Sequence, residues 1–107
     1  MQKFFALLPL VALLVAAKPM ATDPEIPADI QALLNKNGCA ACHTMSQKLV
    51  GPKWTDIAAK KYSAKQISAL VKKPVPGNWP GYIPMLAQTN IPPAELTKIA
   101  TWLAKLK

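Results

Sequence analysis

The sequence predicts an all-α fold, four to five short helices wrapped around a group that the polypeptide itself does not supply. Three observations lead to this reading. Apolar residues recur at three- and four-residue spacing and nowhere alternate as they would along a half-buried strand. The first 21 of 107 residues read as an export signal, which leaves 86, a size at which a core of side chains alone is marginal. Both cysteines and the single histidine fall between positions 39 and 43, so whatever supplements the core is held there.

Taken in order, residues 1–21 carry one early cation, Lys3, then an uncharged apolar stretch from Phe4 to Ala17, then small residues at Val15, Ala17 and Ala21. That is the layout of a secretory signal peptide, with cleavage after Ala17 or after Ala21. Its apolar run of 14 residues is broken by Pro9, whereas a membrane-spanning helix needs about 20. No stable membrane insertion is therefore expected once the signal is removed.

Residues 27–37, PADIQALLNKN, place Ile30, Leu33 and Leu34 at helical spacing, open with a proline suited to a first turn and stop at Gly38. TDIAAKKY and SAKQISALVKK predict two more short helices. In the second, Ser63 followed three residues later by Gln66 is a capping-box pattern. Residues 74–93 hold six prolines and two glycines, which predicts a stiff loop. Trp79, Tyr82, Ile83 and Met85 make it too apolar for an idle linker, so it should wrap over something. The final segment, PAELTKIATWLAKLK, starts with Pro93, puts Glu95 where the helix dipole favours an anion and ends in Lys105 and Lys107. Leu96, Ile99, Leu103 and Leu106 share one face, with Trp102 beside it.

Cys39-Ala-Ala-Cys42-His43 matches C-x-x-C-H, the attachment signature of c-type haem. Thiols three residues apart on a helical turn project from one face and reach two vinyl groups of one porphyrin, while the next residue brings its imidazole under the iron. Gly38 is expected to let the backbone approach a neighbour closely. The competing readings fare worse. A disulfide closing so short a loop stabilises little, a thioredoxin-like dithiol belongs in a βαβ setting, and zinc lacks a second ligand pair. The iron's other side is open to methionine, lysine, water or a gas. Met1 and Met20 lie in the signal, and Met45 is two residues from His43, too close to circle the porphyrin edge. Met85, presented stiffly by YIPML, remains.

NKNGCAACH, LVGPKWTDIAAKKY, the G-x-W segment before IPM in GNWPGYIPM, and the terminal helix with its tryptophan together resemble the small bacterial class I cytochromes c. These are periplasmic monohaem electron donors to terminal oxidases or nitrite reductases, and the resemblance covers essentially all of residues 22–107. It implies the class I cytochrome c fold and one haem c held by thioethers to Cys39 and Cys42, with His43 and Met85 axial. It further implies that the Pro52 carbonyl accepts the His43 Nδ1 proton, that Trp79 hydrogen-bonds a haem propionate, and that Leu34 packs against Ile99 and Trp102. The chain departs from the family pattern at Leu86 and Ala87, where many relatives have prolines, in the length of GNWPGYIPM, and at Trp54, where a tyrosine is frequent.

Lys3 and Lys18 fall within the signal, leaving 11 lysines, no arginine and 5 acidic residues, a net charge of about +6. Without arginine or a binding motif, nucleic acid is not an expected partner. The excess charge either solvates the surface or steers the protein toward redox partners with acidic docking surfaces, such as a terminal oxidase, a nitrite reductase or a cytochrome complex. The expected function is a monomeric periplasmic electron carrier, not an enzyme, working by outer-sphere one-electron transfer with Lys48 and Lys53 guiding the partner. The alternatives are a haem-c sensor with a labile sixth ligand, or a thiol oxidoreductase.

Overall fold

A computed structural model describes residues 25–107; the signal peptide read over residues 1–21 lies outside them. Four helices occur among the described residues, α1 Ala28–Lys36, α2 Trp54–Ala59, α3 Ala64–Lys72 and α4 Pro93–Lys105, with single 3₁₀ turns at Cys39–Ala41 and Pro76–Asn78. No strand occurs among them. α4 packs against α1, α2 and α3 and is the element on which the others assemble.

α1 has no side-chain N-cap and starts on the Pro27 carbonyl, which accepts from Gln31 N at 2.9 Å. Asp29 in its first turn and Lys36 in its last suit the helix dipole. It ends where Asn37 folds its amide back onto the Leu33 carbonyl, at 3.0 Å, and Gly38 adopts φ +76°. The role expected for Gly38 was a close approach. Instead, a Cβ there would meet no protein atom within 4 Å, and the glycine is required by its left-handed backbone. Gly38→Ala should accordingly cost about 1 kcal/mol, the strain of an L-residue in that region, measured by denaturant unfolding.

α2 covers only the first part of TDIAAKKY: it stops at Ala59, and Lys61 takes the left-handed conformation, φ +56°, so the chain turns before α3. A lysine gives no sequence signal for that turn. α3 opens with the expected capping box, Ser63 Oγ accepting from Gln66 N at 3.1 Å and Gln66 Oε1 from Ser63 N at 2.8 Å. Between α3 and α4 the proline-rich strap runs without regular structure apart from its one 3₁₀ turn.

The core is the meeting of the amphipathic faces: Ile30 and Leu34 of α1, Ile67 of α3, and Ile99, Ala100 and Leu103 of α4 are all buried. Leu34 is fully buried, in the same cluster as Ile99, with Trp102 packed against it, the contact that the family resemblance implied.

Glu95 does more than face a helix dipole. It ties the start of α4 to the end of α1, accepting from Lys36 Nζ at 2.9 Å and from Asn37 Nδ2 at 3.2 Å. The Lys36 ammonium first, then the Asn37 amide, hold its carboxyl below the ordinary value of 4.5. A carboxylate whose folded pKa is depressed contributes stability above its unfolded pKa and loses that contribution as pH falls through the folded value. Glu95→Gln should thus be less stable than the parent at neutral pH. The two unfolding midpoints should converge in acid, below the depressed value.

Candidate functional site

The site is built outward from Cys39. Its carbonyl accepts from Cys42 N at 3.2 Å and from His43 N at 3.1 Å, so the 3₁₀ turn started by Gly38 hangs both residues on the first cysteine. Both thiols are half-buried and free of any disulfide. Burial pushes the Cys39 thiol above its ordinary value of 9.0, against a smaller opposing hydrogen bond, which keeps it protonated at neutral pH.

Downstream, Thr44 folds its hydroxyl onto the Gln47 backbone, donating to the carbonyl at 2.9 Å and accepting from the amide at 3.0 Å. The turn so formed brings the chain back past the histidine. Gly51 N donates to Cys42 O at 2.9 Å and Trp54 N to Thr44 O at 2.8 Å. Gly51 and Pro52 are thereby buried against His43.

His43 Nδ1 lies 2.8 Å from the Pro52 carbonyl oxygen. A carbonyl can only accept, so Nδ1 carries the proton and Nε2 keeps its lone pair, the form a metal requires. Burial, opposed by the Pro52 hydrogen bond, lowers the imidazole pKa from its ordinary 6.5, so the ring is neutral at pH 7. Trp54 stacks on it, centroids 4.6 Å apart at 30°, and Trp102 of α4 meets Trp54 edge-on at 5.8 Å and 80°. The histidine is thus braced through two indoles to the helix that organises the fold.

Gly51 was missed by sequence reasoning as a functional position. A Cβ on it would stand 2.7 Å from His43 Nδ1 and 3.0 Å from Nε2, and closer still to Cε1, nearer than any side chain can sit. The only hint in the sequence is the Gly-Pro pair itself.

Cys39, Cys42, His43, Pro52, Trp79 and Met85 all line one cavity of about 490 Å³, inside the range of cofactor sites. Its remaining wall is largely aliphatic and aromatic, drawn from α2, α3, α4 and the proline-rich strap. Among the described residues, Met85 is the only thioether lining it and no lysine does, while Met45 is buried in the helix core. The lysines expected to guide a partner have contacts within the chain: Lys53 Nζ is 4.0 Å from Asp56, and Lys48 lies over the Tyr82 ring. Trp79 is half-buried at the rim.

A tetrapyrrole fits this arrangement. The cavity is apolar and of suitable size, two thiols stand three residues apart on its wall, and the adjacent imidazole is locked in the ligating tautomer.

Comparison with known proteins agrees. The family model described as cytochrome c matches residues 27–107. The chain is 34% identical over 96 residues to cytochrome c-551 of Allochromatium vinosum, covering 86% of this chain and all of that protein. It is 38% identical over 79 residues to cytochrome c-552 of Nitrosomonas europaea, covering 70% of this chain and 76% of that one. The crystal structure of wild-type Nitrosomonas europaea cytochrome c552 superposes with a TM-score of 0.64 at 38% identity, over 72% of this chain and 99% of that chain. With the helical fold, the Cys39-x-x-Cys42-His43 turn and the cavity it faces, these likenesses place the chain in the cytochrome c family, as a small class I bacterial monohaem cytochrome c with one covalently bound haem c.

Proposed function

We propose that the protein is an exported, monomeric one-electron carrier of the periplasm, its signal peptide over residues 1–21 removed and residues 22–107 forming the haem domain. The observation that carries this reading is that one cavity is lined both by a histidine whose Nδ1 proton is held by Pro52 at 2.8 Å and by a thioether, Met85. Cys39 and Cys42 would hold the haem by thioethers, and His43 and Met85 would ligate its iron. When bound, the group supplies a reversible one-electron couple.

The protein's own residues set the terms of that couple. Pro52 fixes the His43 tautomer and strengthens the ring as a donor. The sulfur of Met85 favours the ferrous state relative to a second histidine, and the apolar wall disfavours the extra charge of the ferric state. Trp79, half-buried on the cavity lining, would offer its indole N–H to a propionate. With His43 and Met85 both given to the iron, the chain would leave it no place for a substrate, and the role would be transfer and not catalysis.

The partners are redox proteins with an acidic docking face, such as a terminal oxidase, a nitrite reductase or a cytochrome complex. The support is the lysine excess, about +6 over residues 22–107. Exchange rates with an acidic partner should fall as salt is raised.

The experiment is production of the full chain in a host that exports proteins and attaches haem. The reading expects a mass greater by one haem, no thiol open to alkylation after denaturation, and the spectrum of a thioether-linked haem on reduction. Two freely alkylated thiols and no haem would instead indicate a dithiol oxidoreductase.

A further inference from the structure

Two lysines lie on the aromatic rings of the strap. Lys48 Nζ is 4.3 Å from the Tyr82 ring centroid, and Lys60 Nζ is 4.9 Å from that of Trp79. The two rings meet edge to face, centroids 6.0 Å apart at 85°. Lys48, Tyr82, Trp79 and Lys60 therefore form a continuous row, begun in the loop after His43 and finished just past the end of α2.

The strap has few other ties. Its backbone hydrogen bonds at Asn78, Trp79 and Tyr82 are local, each to a carbonyl three residues back. Between residues 74 and 91, one backbone bond reaches outside the segment, Gln88 N to Val71 O at 3.0 Å. The half of the strap that carries Trp79 and Tyr82 is fastened through side chains. The chain also accepts backbone strain next to one fastening: Lys61, the described non-glycine residue with positive φ, turns the chain immediately after Lys60. A left-handed lysine persists only where its surroundings hold it.

We infer that Lys48 and Lys60 are positioning residues for Met85. They clasp the Tyr82 and Trp79 rings from outside, and so set how readily the strap lifts and exposes the sixth position of the iron. This rests on the reading of Met85 as a ligand. A cation over an exposed aromatic face is a contact of the strength that changes an opening equilibrium two- to fivefold, and two such contacts change it by about tenfold.

The test is the rate at which imidazole displaces the native ligand in the ferric holoprotein. Imidazole is largely neutral in mildly alkaline solution, so removing a lysine does not alter its attraction to the site. In the parent, the rate should saturate with imidazole concentration, the plateau being strap opening. In Lys48→Gln/Lys60→Gln the plateau should rise about tenfold, with the global unfolding midpoint nearly unchanged. Lys→Arg at both positions should restore the parent plateau, because a guanidinium also stacks on aromatic faces. Lys65→Gln, which removes the same charge from the exposed side of α3, should leave it unmoved.

Tyr82→Leu should raise the plateau as Lys48→Gln does, and the pair together no further. A plateau unaltered in the double glutamine variant, or raised equally by Lys65→Gln, overturns the clasp. Failure of the underlying reading looks different: a parent that binds imidazole as fast as Met85→Ala, with no plateau, has no methionine to displace.

Discussion

Met85→Ala should yield a protein that folds, attaches haem and no longer functions as a closed carrier. The side chain lies on the cavity wall and not in the helix core, so truncation leaves the packing of α1, α3 and α4 intact. On the proposed reading, what it removes is the thioether that meets the iron opposite His43. The ferric protein should lose the weak band of iron bound to thioether sulfur and become high-spin. Its potential should fall by about 0.1 V or more, part of the roughly 0.8 V over which axial ligands set haem potentials. A methionine that merely filled space would leave spin state and potential alone. Spectroscopy and a redox titration of the variant separate the two.

The second large effect is expected at Gly51. Its Cβ-to-be would stand 2.7 Å from His43 Nδ1, and the ring is held in place by the stacked Trp54 and by its hydrogen bond to the Pro52 carbonyl. Gly51→Ala must therefore push the imidazole off the Pro52 carbonyl or move the backbone. Overpacking costs about 1–3 kcal/mol and the lost buried hydrogen bond about 1 kcal/mol more, so a destabilisation of about 2–4 kcal/mol is expected. Because the tautomer is freed as well, the potential should shift and haem attachment should fall. Gly38→Ala is the contrast: it meets left-handed backbone strain and no protein neighbour, and should cost about 1 kcal/mol. Equal effects from the two substitutions, read by denaturant unfolding, would show that His43 is not confined as described.

These two positions show what a sequence can and cannot disclose. The helices were legible because their determinants are local: the Ser63–Gln66 box, the end of α1 at Gly38, and the Leu96, Ile99 and Leu103 stripe of α4. C-x-x-C-H was legible because its chemistry is carried by spacing alone. The carbonyl of Pro52 was expected only from resemblance, since backbone acceptors carry no side-chain signature.

Gly51 was not legible, because its contact depends on a turn closed by the Thr44 hydroxyl and on an indole eleven residues from His43 stacked on the ring. Glu95 suggested a dipole and proved to join two helices, a contact 59 positions apart in the chain. The early end of α2 was hidden for a different reason. Lysine seldom adopts positive φ, so the turn at Lys61 is enforced by what surrounds it. Long-range closure, and not propensity, decides all three.

The central claim is that His43 and Met85 together close the iron to outside molecules. Carbon monoxide added to the reduced holoprotein at neutral pH addresses it most directly. The account predicts an unchanged absorption spectrum in the parent and prompt binding in Met85→Ala; prompt, stoichiometric binding by the parent would contradict it and point to a sensor with an open sixth position.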